Sequence, residues 1–242
     1  MLLTWLAASL AIALAATLQG ITGFGFALIA VPLLMLVFDA HTAVVLNLLI
    51  SFCTQLALSL RVREGVVRPL LIHLFGGSLI GIPVGLYVFL HFNMQNLKIF
   101  ISAITIFFAL ALLKNIRIEK LAGRWVENLV GSLSGFLSTS VGIPGPPVVL
   151  FLNHQDLCKE NFRATASAYF TFLYSVSLIF LGFSGSVSQS IAAKAFTLLP
   201  FAFLGSYLGV YLFPRVSQRH FQYGVPLLVV ATGIYSLLTT IF

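Results

Sequence analysis

Charge is what this 242-residue sequence has least of: 13 Lys and Arg with 6 Asp and Glu amount to 8% of the chain. A soluble domain carries about 25% charged residues, because its surface faces water. With 60% hydrophobic residues, 23 Phe and a mean hydropathy of +1.07, the chain cannot present such a surface. A soluble enzyme, a nucleic-acid-binding module and a disordered protein are excluded. Acidic residues are scarcer still, and Asp39, Glu64, Glu119, Glu127, Asp156 and Glu160 all fall in loops or at the ends of apolar runs. That speaks against an Asp/Glu proton relay at mid-membrane. Only two cysteines are present, Cys53 in an apolar run and Cys158 in a polar loop, and both read as free thiols. Neither has metal-ligand spacing, so no metal and no cofactor is expected. His-Glu-x-x-His, Gly-x-Ser-x-Gly and Walker patterns are missing, which leaves an intramembrane enzyme as a distant alternative.

What the sequence does have is apolar runs. A membrane span needs about 20 apolar residues, fewer where a helix breaks inside the protein. Ten runs qualify, at 2–19, 24–38, 41–60, 69–90, 97–113, 125–139, 145–153, 163–183, 194–213 and 221–241. Leu, Ala and Phe dominate them, and only helices satisfy their own backbone in lipid without closing a barrel. The N-terminus lacks a basic region, so 2–19 reads as a retained span rather than a cleaved signal. The second, sixth and seventh runs are short for a crossing.

The two halves resemble each other. Gly81-Ile-Pro-Val-Gly85-Leu-Tyr87 in the fourth run matches Gly205-Ser-Tyr-Leu-Gly209-Val-Tyr211 in the ninth. Gly20 and Pro32 match Gly135 and Pro147 at an offset of 115, and Thr42-Ala43 matches Thr165-Ala166 at 123. Basic residues sit at Arg61, Arg63 and Arg68, and at Lys114, Arg117, Lys120 and Arg124. In the second half they move to the other loops, at Lys159 with Arg163 and at Arg215 with Arg219. Positive-inside orientation then inverts one half against the other. The expected fold is an all-α integral membrane protein of two inverted repeats. Each has a broken or re-entrant Gly/Pro-rich helix pair followed by three spans, although five full spans per half also satisfies the charge pattern. Residues 1–113 form the first repeat, 114–124 a cytoplasmic basic linker and 125–242 the second repeat.

Chemistry is expected at the helix breaks. Gln19-Gly20-Ile21-Thr22-Gly23-Phe24-Gly25 precedes Pro32, and its counterpart is Ser138-Thr139-Ser140-Val141-Gly142-Ile143-Pro144-Gly145. Non-helical backbone at membrane depth is tolerated only when buried in protein or lining a cavity. A helix that starts just after a break turns its positive end toward that cavity, which suits an anion. Gln19, Thr22, Gly23, Gly25, Ser138, Thr139, Ser140, Gly142 and Gly145 are therefore candidate binding residues, the alternative being kinks lined with small residues. Asn47, Ser51 and Gln55, four residues apart with Thr54 alongside, form one polar stripe on the third run. The stripe is a candidate lining of the pathway, Asn47 above all, and interhelical hydrogen bonding is the alternative. Gly77, Gly81 and Gly85, like Gly205 and Gly209, read as close helix-crossing positions. His73 lies within an apolar run, as a satisfied or interfacial histidine or as a titrating group.

These motifs also carry a resemblance. Gly-x-x-Gly-x-Gly followed by Pro32, and Gly142-Ile-Pro-Gly-Pro-Pro-Val-Val-Leu150 followed by Phe162-Arg-Ala-Thr165, are similar to the sulfite exporter family of the TauE/SafE type. Where many members have three consecutive glycines, this chain has Gly25-Phe26-Ala27, which narrows that break. The resemblance implies a permease of the cell (inner) membrane for sulfite, an organosulfonate or a related small anion. Its partners would be that small anionic substrate and membrane lipid, with no nucleic acid. It also implies a role for Arg163 as a counter-charge to the substrate, where position alone allows a headgroup anchor equally. Transport by alternating access, in the direction of export, is expected, and a passive anion channel is the alternative.

Overall fold

The computed structural model describes residues 2–113, 123–153, 155 and 157–212, with side chains from Trp5 onward except those of Thr22, Ala109, Leu112 and Leu113. The basic linker up to Ala122, His154, Asp156, Arg215, Arg219 and the tenth run lie outside the described residues. Among those described, all regular structure is helical. The helices are α1 (Leu2–Thr22), α2 (Phe26–Leu34), α3 (Ala40–Arg61), α4 (Arg68–His91), α5 (Met94–Leu113), α6 (Arg124–Val141), α7 (Gly145–Leu152), α8 (Lys159–Phe183) and α9 (Gln189–Leu212). A 3-10 turn, Arg63–Gly65, separates α3 from α4. By length and composition, α3, α4, α8 and α9 suffice to cross a bilayer.

Local chemistry sets the boundaries. Asp39 caps α3, its carboxylate accepting from the Thr42 amide at 2.9 Å. Pro69 occupies the first turn of α4, where a missing N–H costs nothing. Several helices run longer than their apolar patterns suggest. The sixth has 18 residues, and polar Lys159 and Gln189 begin α8 and α9. Cys158 holds an extended N-cap conformation before α8, and Glu160 in the first turn complements the positive end of the helix. The second and seventh runs are short, as expected, with nine residues in α2 and eight in α7. At 1.5 Å per residue they rise only about 14 and 12 Å, less than half of a roughly 30 Å hydrocarbon core. Both are enclosed by protein, with all of α2 except Leu33 buried.

Long helices surround this pair. The largest interfaces join α1 to α9 and α4 to α6, with α3 on α8 next. Glycine makes the first two possible. A Cβ on Gly81 would overlap the Ser132 carbonyl, and one on Gly205 the Ala13 carbonyl. The small-residue stripes are thus packing surfaces that bring helix backbones into contact. On the outside, Leu10, Ile72, Ile80, Phe107, Phe183 and Phe196 are exposed, as lipid contact requires. Tyr87 and Tyr211 are also exposed, as are Arg61, Arg63 and Arg68. His73 Nδ1 lies 2.7 Å from Glu127 Oε2, linking the starts of α4 and α6.

Gly81→Val and Gly205→Val are each expected to destabilise the protein by about 3 kcal/mol in detergent unfolding. Gly182→Ala, in open space within α8, is expected to shift it by less than about 0.5 kcal/mol. Asp39→Ala should cost about 1 kcal/mol through the lost cap. Burial disfavours the Asp39 carboxylate, but bonds from the Thr42 hydroxyl and amide and from its own amide, with the nearby His41, together outweigh this and hold its pKa below the ordinary value. The cap therefore contributes fully above that ordinary value and is lost as pH falls through the depressed one. The stability difference between wild type and Asp39→Ala should vanish in strong acid and persist at neutral pH.

Candidate functional site

Two breaks interrupt the helical backbone at the centre of the protein. The first follows α1, where Gly23 and Gly25 take φ of +82° and +91°. The second follows α6, where Gly142 takes φ of +73°. A side chain in that region strains the backbone, so glycine is required at both turns. Each break leaves carbonyls at the end of one helix and uncapped N–H groups at the start of the next. No side chain caps either α2 or α7.

The polar stripe of α3 supplies the missing donors. Asn47 Nδ2 donates to the Gly142 carbonyl at 2.8 Å, and Gln55 Nε2 to the Gly23 carbonyl at 2.8 Å. Eight residues of helix put these anchors about 12 Å apart along α3. Thr54 Oγ1 adds a bond to Gln19 Oε1 at 3.1 Å. Asn47, Ser51, Thr54 and Gln55 are all buried, and Asn47 Oδ1 and Gln55 Oε1 have no hydrogen-bond partner. The stripe is thus both interhelical glue and a row of unspent polar atoms beside the breaks.

Most candidates from the sequence gather here, but they do different things. Gly25 and Gly145 line one small cavity together with Phe24, Phe26, Ala27, Leu28, Gln55, Ile143, Phe170 and Tyr174. Its volume is about 10 Å³, enough for about one water. Gln19 is held behind it by Thr54, and the Ser138 and Ser177 hydroxyls pair at 2.8 Å. Thr139 turns toward α4, its hydroxyl donating to the Ile82 carbonyl at 2.8 Å, while Ser140 donates back to Phe136 in its own helix at 2.6 Å. The Thr22 side chain lies outside those described. Arg163 is buried rather than turned out toward headgroups. Its Nη2 donates to the Gly20 carbonyl at 2.6 Å, and a Cβ on Gly23 would press on its Cγ. A cation at the last turn of α1 complements the negative end of that helix.

Tyr174 was not legible as a lining residue, whereas Gln55 lies on the polar stripe that the spacing offered as a pathway lining. That spacing carries the signal without saying which end meets a break. Tyr174, on α8, has no local signal at all. The electrostatics are simple. The N-terminal ends of α2 and α7 face one cavity, and none of its lining residues is acidic. The two ends are unequal, because Pro144, Pro146 and Pro147 remove N–H groups from the second, whereas Phe26, Ala27 and Leu28 keep theirs.

Short helices whose uncapped ends are buried at the centre of a bundle are a feature of many membrane transport proteins. The model of the sulfite exporter TauE/SafE family matches residues 8–236, and the chain belongs to that family. Membership implies a multi-pass membrane transporter of sulfite or sulfonate type. No curated protein and no solved structure matches the chain.

Asn47→Leu leaves the buried Gly142 carbonyl unpaired. It should cost about 1–3 kcal/mol in detergent unfolding. Ser140→Ala, which removes only a bond within one turn of α6, should cost less than about 0.5 kcal/mol in the same assay.

Proposed function

We propose that the chain exports a small sulfur oxyanion or organosulfonate from the cytoplasm across the inner membrane by alternating access. The observation that carries this reading is the convergence of the uncapped α2 and α7 N-termini on one buried cavity without carboxylates. Backbone N–H groups there replace part of the hydration shell of an anion. Gly23, Gly25, Gly142 and Gly145 shape the site. Gln19, Thr22, Ser138, Thr139 and Ser140 support it, Asn47 holds the second break and Arg163 adds positive charge behind the first.

The repeats in this reading are 1–113 and 125–242, inverted about the centre and joined through a cytoplasmic linker at 114–124. Recurrent contacts support it. In one interface Gly205 meets Ala13 and Gly209 meets Thr17; in the other Gly81 meets Ser132 and Gly85 meets Phe136. The Gln19–Thr54 bond has its counterpart in Ser138–Ser177. These pairs place α6 residues 119 positions after their α1 equivalents, as Gly23 and Gly142 also stand. That register replaces the 115 suggested by Gly and Pro positions alone, and it pairs Gly20 with Thr139. With one break in each repeat, rocking the halves would expose the cavity to either side in turn.

A centre closed to about one water favours a carrier over a standing channel. Export needs no coupling ion: a potential negative inside drives a monoanion outward by about 2.3 kcal/mol per 100 mV. The test is efflux of sulfite and methanesulfonate from liposomes holding the purified protein, at an imposed potential. Saturable efflux of at least one anion is expected. Unsaturable, unselective current would replace the carrier with a channel, and no flux of either anion would overturn the substrate class.

A further inference from the structure

We infer that Gln55 makes this site selective for a singly charged, protonated oxyanion such as hydrogensulfite over the corresponding dianion. The inference rests on the cavity being the anion site. Gln55 is buried and lines the cavity at the start of α2. Its amide nitrogen is committed to the Gly23 carbonyl at 2.8 Å, which fixes the orientation of the group. One N–H of that group is used there, and Oε1 is the buried acceptor left without a hydrogen-bond partner. An unpaired acceptor in a buried anion site repels a fully ionised oxygen. It accepts a hydrogen bond from an O–H, so the ligand that satisfies it carries both charge and a proton.

Charge magnitude points the same way. No Lys or Arg lines the cavity. The α2 N-terminus contributes about half a positive charge and the proline-bearing α7 end less, so the two together balance no more than about one negative charge and leave a second uncompensated. Burying that second charge away from water is costly. Arg163 stands outside the lining, with its guanidinium on the Gly20 carbonyl. A methylsulfonate has the right charge but no proton for Oε1, and is the poorer ligand.

Of the ionisable groups on the elements packed against α3, Tyr174 lines the same cavity as Gln55 and Arg163 lies against Gly23; Tyr207 on α9 and Arg61 on α3 line a separate cavity, Cys53 is on α3, and α1 and α2 contribute none. Methanesulfonate, whose charge is fixed across neutral pH, reports any titration of the protein. The experiment measures sulfite and methanesulfonate efflux from the same proteoliposomes at equal pH on both sides, stepped through the second ionisation of sulfite. Relative to methanesulfonate, sulfite flux is expected to fall about tenfold per pH unit above that ionisation, following the protonated fraction. Gln55→Leu is expected to lower the sulfite-to-methanesulfonate flux ratio about tenfold below the ionisation, the worth of one hydrogen bond. Sulfite flux that rises with pH, or holds level, would overturn the inference and leave anion transport standing. So would an unchanged ratio in the variant, or carriage of methanesulfonate without sulfite. Absence of both fluxes would overturn the transport reading as well.

Discussion

Backbone that stops being helical inside a membrane must find its hydrogen bonds within the protein, and everything at the centre of this molecule follows from how α3 provides them. Asn47 and Gln55 each donate an amide N–H to the carbonyl of a glycine that ends a broken helix. Because one rigid helix serves both breaks, the two are held in register about 12 Å apart along its axis. Each amide is fixed by that bond, so its oxygen is left over, buried and unpaired. Structural satisfaction of the breaks thus determines which polar atoms remain for a ligand.

Close helix packing secures the arrangement from outside. The C-terminal ends of α1 and α6 carry the breaks, and each of these helices lies against a glycine-bearing neighbour so tightly that a single Cβ would meet backbone. Water does not drive helices together in lipid, so contact area and small residues must. The same surfaces are the natural sliding faces if the halves rock. Arg163 joins the end of α1 to α8 by a charge-assisted bond, so α1, α3 and α8 meet around the first break.

The dearth of carboxylates gains its meaning at this point. Two positive helix ends share a cavity with no acidic side chain to neutralise them, and the cavity has almost no room for solvent. In the proposed function an anion is the complement of these ends, and it would enter at the cost of its hydration. Proline in the first turn of α7 weakens one of the two ends, which makes the α2 end, beside Gln55, the stronger electrostatic partner.

Composition, apolar run lengths and the Gly/Pro clusters determined the membrane class, nearly every helix, both breaks and the small-residue packing faces, because each depends on local backbone chemistry and on periodicity along one helix. The stripe at Asn47, Ser51 and Gln55 was equally visible. Its partners were not, since Gly142 is 95 residues from Asn47 in the chain and Gly23 is 32 from Gln55. Only the tertiary structure decided that Thr139 faces α4, that Ser140 bonds within its own turn, that Arg163 caps α1, and that Tyr174 lines the cavity. The physical reason is that a polar group in a membrane protein must be paired, but many carbonyls are available to pair it. Which one it takes is set by helix packing between distant parts of the chain, and that choice leaves no mark on the residues beside it.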